Sequence, residues 1–269
     1  MSNESESLQV ERVDDTVTIW MNRPERRNVL TRAMIKELTR AFADAGDSDA
    51  SGVVLAARGS VFCAGHDFSE MAGVKHRDVL RLFEKCTHLM TTMQSIPQPV
   101  IAMVQGLATG AGCQLVATAD LAVASKEARF CTPGGKGGLF CTTPMVAVGR
   151  TISRKRALEM AMSGDEIDAK TALSWGLIND VVPATDLERA TSAMMQRVTR
   201  GSAASKGIGK HAFYAQIDLA RADAYDYAVE VMAAASQIPD AQESIAAFLE
   251  KRAPSWTEGP RTTIMASKH

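Results

Sequence analysis

The sequence predicts an α/β fold that continues into a helical C-terminal region. Short apolar segments alternate with segments of helical periodicity over the first part of the 269 residues, which is the pattern of successive strand and helix units. From Arg154 onward the pattern is mainly helical. We therefore predict a core at residues 1–199 and an appended helical region at residues 200–269.

The composition is that of an ordinary globular protein. Hydrophobic residues make up 46% of the chain and charged residues 23%, so a large buried core is expected. The formal net charge is −1, which provides no electrostatic reason to expect nucleic acid or an anionic membrane as partner. No apolar run approaches the ~20 residues that a membrane-spanning helix needs.

Neither a metal site nor a targeting segment is predicted. The five cysteines include no CxxC pair and no histidine at zinc-ligand spacing, so we expect reduced thiols and neither a metal nor a redox cofactor. Residues 1–7 are polar and acidic, without the Arg-rich amphipathic pattern of a transit peptide. The sequence therefore predicts a cytoplasmic protein.

The first strand and helix have clear boundaries. Thr16–Met21 is β-branched and alternating, as in a strand, and the segment 22–24 ends it with a proline. Thr31 is a predicted N-cap, and the helix that follows closes at Gly46.

The middle of the chain repeats short buried strands and helices. Val53–Ala57 and Val100–Val104 are entirely apolar, as strands of a buried parallel sheet are. Val79–Ser95 is predicted as the helix between them. The remaining predictions are a helix at Cys113–Ala119, a strand at Leu121–Ala124, an extended segment at Ala128–Thr132 and a glycine-rich loop at 133–138.

Two glycine-centred turns, at 64–67 and 109–112, are each predicted to follow a buried strand and precede a helix. Peptide N–H groups at such a turn lack partners and can bind an anion or a developing oxyanion. Ordinary structural turns remain the alternative. Residues 106–112 lack the dinucleotide-binding spacing, and the loop at 134–138 lacks the Lys-Ser/Thr ending of a nucleotide-binding loop.

At these segments the chain resembles the crotonase (enoyl-CoA hydratase/isomerase) superfamily, almost from end to end. Five segments in order carry the resemblance: NRPERRNVL (22–30), FCAGHDF (62–68), PVIAMVQGLATGAGCQLVATADLAVAS (99–125), LEMAMSGDEIDAKTALSWGLINDVVP (158–183) and AAFLEKRAP (246–254). Residues 106–117 and 132–144 further resemble the branch called enoyl-CoA hydratase domain-containing protein 3. The resemblance implies a spiral of ββα units, a C-terminal α-helical trimerisation region, and a homotrimer or dimer of trimers.

The resemblance also implies an acyl-CoA site, with coenzyme A as part of the substrate. Its two oxyanion donors would be the peptide N–H groups of His66 and Ala111. Three residues of the first turn would line the coenzyme A groove, namely Ala64, Asp67 and Phe68. Phe248 and Lys251 match positions that contact the adenine end from a neighbouring subunit.

Two positions depart from the pattern of a hydratase. Hydration in this superfamily uses two glutamates for acid/base chemistry, and their positions here hold Gln114 and Gly134. The isomerases keep the second glutamate, and the place of a dehalogenase-like aspartate holds Thr142. Ordinary hydration is therefore not expected.

Three functions stay open from the sequence. Decarboxylation of a malonyl-type thioester needs an enolate-stabilising site and no added base. Hydrolysis of a thioester could use a water oriented by Gln114, and a pseudo-enzyme would only bind acyl-CoA. The candidate assisting groups are Gln114, His66, Lys136 and Cys141.

Overall fold

The computed structural model describes residues 7–256 of the chain. Within them the strands are β1 (Leu8–Val13), β2 (Thr16–Met21), β3 (Gly52–Ala57), β4 (Val61–Cys63), β5 (Val100–Val104), β6 (Leu107–Thr109), β7 (Leu121–Ser125), β8 (Arg129–Cys131), β9 (Ile167–Asp168) and β10 (Asp180–Val182). The α-helices are α1 (Arg32–Gly46), α2 (His76–Ser95), α3 (Ala111–Thr118), α4 (Pro144–Thr151), α5 (Arg154–Ser163), α6 (Ala169–Trp175), α7 (Leu187–Thr199), α8 (Ala203–Gln216), α9 (Arg221–Ala235) and α10 (Pro239–Leu249).

The strands form two sheets that the chain visits in turn. The six-stranded sheet has the order β1-β2-β3-β5-β7-β10, and the four-stranded sheet the order β4-β6-β8-β9. Each of the strands β3, β5 and β7 is followed at once by a strand of the second sheet. The chain therefore winds as a spiral of strand pairs, with helices between successive turns, which confirms the predicted fold class.

The larger sheet is covered on both faces. Every residue of β3 and β5 is buried, as expected for parallel strands between layers. One face packs on α1, α2 and α3 in the main core. The other face holds Trp20 and Met103 against Leu187 and Met195 of α7.

Several boundaries differ from the sequence predictions. The segment before Thr16, for which no strand was predicted, contains β1, an edge strand that is exposed almost throughout and pairs antiparallel with β2. Its side chains show no alternation of burial because neither face is deeply buried. The short strands β4, β6, β9 and β10 were not predicted, since two or three residues are too few to establish a period. The turn at 64–67 leads into a 3-10 turn at Phe68–Glu70 and not directly into a helix, and α2 begins at His76, three residues before the predicted Val79.

Asn28 fastens the segment after β2 to the turn between β3 and β4. Its side chain is fully buried, and Nδ2 donates to the carbonyl oxygens of Arg58 (3.0 Å) and Val61 (2.8 Å). Oδ1 accepts from the Arg23 N–H at 2.8 Å. The backbone φ of 51° suits asparagine better than most residues.

A buried polar cluster anchors α8 to the core. Lys210 Nζ lies 2.7 Å from Asp120 Oδ2 and donates to the Gln98 carbonyl oxygen at 2.8 Å. Tyr214 donates to Asp120 Oδ1 at 2.7 Å. The predicted domain boundary between residues 199 and 200 falls in the link between α7 and α8, and the division into two domains stays a prediction.

The described residues contain neither a membrane-spanning helix nor a cluster of metal-ligating side chains. Among the helices of residues 7–256, none is long and apolar enough to cross a membrane. The same part of the chain contains no group of three or more His, Cys, Asp or Glu side chains that could hold a metal ion.

We predict that Asn28→Ala lowers the free energy of unfolding by about 3 kcal/mol, because it leaves two buried carbonyl oxygens and one N–H without partners. Chemical denaturation measures this difference. Arg27→Ala is the matched control, since Arg27 is exposed and has a similar φ of 52°; we expect a change below about 0.5 kcal/mol there. Equal losses for the two variants would show that backbone conformation, and not the hydrogen bonds of Asn28, accounts for the effect.

Candidate functional site

The two glycine-centred turns meet in the structure. A Cβ atom added at Gly65 would lie 3.0 Å from the Thr109 carbonyl oxygen and 3.3 Å from the Ala111 nitrogen. One added at Gly112 would overlap the carbonyl group of Cys63. Gly112 therefore has no room for a larger residue, and Gly65 combines a tight contact with a φ of 82° that favours glycine. The two turns pack backbone against backbone.

Each turn presents a peptide N–H without a partner. The Leu30 N–H donates to the Gly65 carbonyl oxygen at 2.7 Å, and the Asp67 N–H donates to the Leu30 carbonyl oxygen at 3.3 Å. Between these bonds the His66 N–H has no acceptor among residues 7–256, and the same is true of the Ala111 N–H in the first turn of α3. Two such donors on touching turns can bind one oxygen atom that carries negative charge.

The helix that carries Ala111 begins two residues earlier than predicted. Gly110 is its N-cap, with φ 56° and ψ −117°, and its own N–H donates to the Cys131 carbonyl oxygen at 3.0 Å. Ala111 is thus the first helical residue, where an N–H has no intrahelical acceptor.

The rest of the first turn is held by side chains and backbone. Asp67 accepts from the Ser69 N–H at 2.9 Å and from the Ser69 hydroxyl at 2.6 Å, and it pairs with Arg26 at 2.7 Å. The bonds from Ser69, aided by Arg26, lower the pKa of the Asp67 carboxyl. The Ala64 N–H donates to the Arg27 carbonyl oxygen at 3.0 Å. Phe68 is 72% exposed and stands at the outer side of the turn.

The His66 imidazole is turned inward. Its ring meets Phe83 of α2 edge to face, with centroids 5.2 Å apart. Nε2 is buried and has no hydrogen-bond partner, and burial lowers the pKa of His66 to about 4. The imidazole is therefore neutral at physiological pH.

Gln114 lies one helical turn beyond Ala111. It is 4% exposed, and its Oε1 has no hydrogen-bond partner. Because helical side chains lean toward the helix N-terminus, the amide extends toward the end of α3 that carries the free Ala111 N–H.

Gly134 occupies a loop that leaves no space for a side chain. An added Cβ would overlap the Leu139 carbonyl oxygen and lie 2.7 Å from Cys141 Sγ. The Leu139 N–H donates to the Gly134 carbonyl oxygen at 2.8 Å, and the Gly134 N–H donates to Cys141 Sγ at 3.3 Å. The loop is therefore folded through the volume that a side chain at this position would need.

The other candidate assisting groups are poorly placed for proton transfer. Cys141 is half-buried, and burial raises the pKa of its thiol, which disfavours a reactive thiolate. Lys136 is exposed and pairs with Asp165 at 3.3 Å.

Phe248 and Lys251 are not brought to the two turns within the chain. Phe248 belongs to α10 and is 82% exposed, and Lys251 follows that helix with φ 55°. Helix α10 packs against α8. Ile245 and Leu249 are also exposed on α10.

Sequence reasoning missed two contributors to the first turn. Phe83 was only part of the predicted helix Val79–Ser95, and Arg26 only part of the segment 22–30 that carries the family resemblance. Phe83 contacts His66 and Arg26 pairs with Asp67, in both cases between segments distant in the chain. A local sequence pattern therefore does not reveal either contact.

Known proteins match this chain along most of its length. The profile of the family described as enoyl-CoA hydratase/isomerase matches residues 12–259. An enoyl-CoA hydratase from Mycobacterium smegmatis superposes with a TM-score of 0.90 at 42% identity, covering 94% of this chain and 99% of that one. The crystal structure of human enoyl-CoA hydratase domain-containing protein 3 superposes with a TM-score of 0.89 at 39% identity, covering 93% and 100%.

Sequence relatives correct one prediction. The enoyl-CoA hydratase domain-containing protein 3 of Xenopus laevis is 42% identical over 241 residues, which are 89% of this chain and 82% of that protein, and it is named as mitochondrial. The human and rat proteins carry the same description. The predicted cytoplasmic location is therefore wrong by this comparison. It depended on a short polar N-terminus, whereas location is specified by an address segment and not by the folded domain that these proteins share.

The spiral fold, the two touching turns and the extent of these matches lead to one conclusion. The chain belongs to the enoyl-CoA hydratase/isomerase family, and within the crotonase superfamily it is similar to the enoyl-CoA hydratase domain-containing protein 3 branch.

Proposed function

We propose that this protein binds an acyl-CoA thioester and stabilises the enolate or oxyanion formed from its carbonyl group. The peptide N–H groups of His66 and Ala111 are the two donors. The observation that carries the proposal is that both lack acceptors in the described chain although their turns are in backbone contact.

Backbone donors suit this task because their positions do not depend on side-chain rotamers. They are held in place before the substrate arrives, so charge that develops on the thioester oxygen meets dipoles already aligned. In comparable sites the loss of one donor costs about 3 kcal/mol of transition-state stabilisation. Only the peptide N–H is needed at each position, so the identity of the side chain there does not affect the proposed donor.

Efficient hydration of an enoyl-CoA is not the proposed reaction. Gln114 is an amide and cannot exchange a proton as a carboxylate does. Gly134 has no side chain, and the carbonyl group of Leu139 fills the space that one would need. Both glutamate positions of the hydratases are thus without an acid/base group.

The coenzyme A part of the substrate would extend along the outer side of the first turn, past Ala64, Asp67 and Phe68. In this proposal the protein forms a homotrimer or a dimer of trimers. Phe248 and Lys251 of a second copy then contact the adenine end of coenzyme A. The strong exposure of Phe248 in one chain supports this arrangement, since large exposed apolar side chains commonly mark an interface.

We expect purified protein to bind crotonyl-CoA without hydrating it. The measurement is calorimetric binding of crotonyl-CoA together with a spectrophotometric hydration assay, with malonyl-CoA and methylmalonyl-CoA assayed in parallel for decarboxylation. Hydration at an enzymatic rate, on the order of 1–1000 per second, would contradict the interpretation of Gln114 and Gly134. A lack of binding to every ester would overturn the proposal itself.

Ala111→Pro removes one proposed donor with little disturbance of the helix, because proline is well tolerated at the first helical position. We expect acyl-CoA affinity to fall at least tenfold while the melting temperature changes by only a few degrees. Arg154→Pro is the matched control, since Arg154 is the first residue of α5 and follows an extended Ser153. If Ala111→Pro bound as tightly as the parent, the Ala111 N–H would not be a donor to the thioester.

Gly134→Ala should lower the free energy of unfolding by about 2–3 kcal/mol, since the added Cβ must displace the Leu139 carbonyl group. Gly137→Ala is the control in the same loop, because an added Cβ there has no neighbour closer than 3.7 Å. For the same reason, Gln114→Glu combined with Gly134→Glu should not restore hydration. A double variant that hydrated crotonyl-CoA would show that the loop can open to admit a carboxylate.

A further inference from the structure

A groove runs along the outer face of the six-stranded sheet, on the side away from α1, α2 and α3. It has a volume of about 940 Å³, with the β1–β2 hairpin as one wall and α7 as the other. Cavities of about 300–1000 Å³ are typical of binding clefts, so this groove is large enough to hold a partner. Its floor includes the side chains of Trp20, Val54, Met103 and Met195.

The two walls of the groove carry opposite charges that do not pair with each other. Asp14 and Asp15 lie at the tip of the hairpin, and Arg197 and Arg200 lie at the C-terminal end of α7. Asp14 and both arginines form no ion pair within residues 7–256, and Asp15 has only a 3.9 Å contact with Arg12. The groove therefore keeps its acidic wall and its basic wall too far apart for contact.

The other carboxylates of the groove do not change this arrangement. Glu11 accepts from Trp20 Nε1 at 2.9 Å and pairs with Arg58 at 2.9 Å, so its charge is already balanced. Glu188 lies in the first turn of α7, nine residues before Arg197, which is about 13 Å along the helix axis. The arginines thus form a separate basic end of the α7 wall.

The tip of the hairpin has the properties of a surface that would fill such a groove. Val13 lines the groove and is 68% exposed although it is apolar. Asp14 follows it in the turn between β1 and β2, with a φ of 50°. An apolar side chain followed by two carboxylates matches an apolar floor beside two arginines. The surface is therefore complementary to itself, as a contact between identical subunits about a two-fold axis requires.

We infer that a second copy of this chain docks in the groove about a two-fold axis. The hairpin tip of each copy enters the groove of the other, with Val13 on the apolar floor. Asp14 and Asp15 of one copy then pair with Arg197 and Arg200 of the second copy, and the symmetry makes every such pair occur twice.

This inference goes beyond the proposed function, because the groove lies on the other face of the sheet from the helix that carries Ala111. Combined with the proposed trimer, the contact gives a dimer of trimers. Three copies of the contact then act together, so each of them can be weak by itself. Without the trimer, the same contact gives a dimer.

The test measures the mass of the full chain by size-exclusion chromatography with light scattering, at low ionic strength because the charges are exposed. We expect an even number of chains in the parent. Arg197→Glu combined with Arg200→Glu should halve the mass, and so should Asp14→Lys combined with Asp15→Lys, because each double variant places like charges together. All four substitutions in one chain should restore the parent mass, since the pairs form again with reversed sign.

Lys36→Glu combined with Arg40→Glu is the matched control. Both residues are exposed on α1, at the opposite face of the sheet, and the change in net charge equals that of the arginine double variant. The mass should stay that of the parent. A halved mass in this control would overturn the inference, because net charge alone would then explain dissociation.

Three other results would also overturn the inference: a parent of one or three chains, double variants of unchanged mass, and a fourfold variant that stays at half mass. Acyl-CoA binding by the dissociated double variants, measured by calorimetry with crotonyl-CoA, bears on the proposed function alone. We expect it to equal that of the parent. A parent that forms only a dimer would support this inference and would contradict the proposed trimer.

Discussion

The contact between the backbones of two turns is the constraint on which the site depends. Gly65 approaches the Ala111 nitrogen, and Gly112 packs against the carbonyl group of Cys63, at separations that leave no room for a Cβ atom. Bulk at either position would push the turns apart, and the two free N–H groups would no longer converge. The spiral provides this approach: β4 and β6 are neighbouring parallel strands of the second sheet, so their carboxyl ends lie side by side and each opens into one of the turns.

The surrounding structure keeps the two turns in position through polar contacts between distant segments. Leu30 is bonded on both sides to the first turn, and Asn28 joins the same segment to the β3–β4 connection. Gly110 joins the second turn to the end of β8. Every one of these bonds is buried or half-buried, where an unsatisfied group is costly, so the turns cannot shift without loss of stability. Rigidity of this kind is what preorganised donors require.

The departures from the hydratase pattern form a consistent set. At the position on α3 where the resemblance implies a glutamate, Gln114 provides a buried neutral amide, and an unpaired carboxylate would be unfavourable there. At Gly134, the second such position, the Leu139 carbonyl group lies in the volume that a side chain would need. In the proposed site the two N–H donors would thus be accompanied by neutral groups, since the buried His66 imidazole also carries no charge at physiological pH.

The sequence by itself determined the α/β class, the burial of Val53–Ala57 and Val100–Val104 and the N-cap at Thr31. It also indicated the two turns as candidate donors. These features follow from local periodicity and from residues with restricted backbone geometry. Only the tertiary structure decided that the turns touch, that His66 Nε2 and Gln114 Oε1 are buried without partners, and that the Gly134 loop excludes a side chain. Edge strand β1 and the two-residue strand β9 likewise exist only through pairing. The physical reason is the same in each case: close approach, burial and strand pairing are relations between segments far apart in the chain, and no local pattern records them.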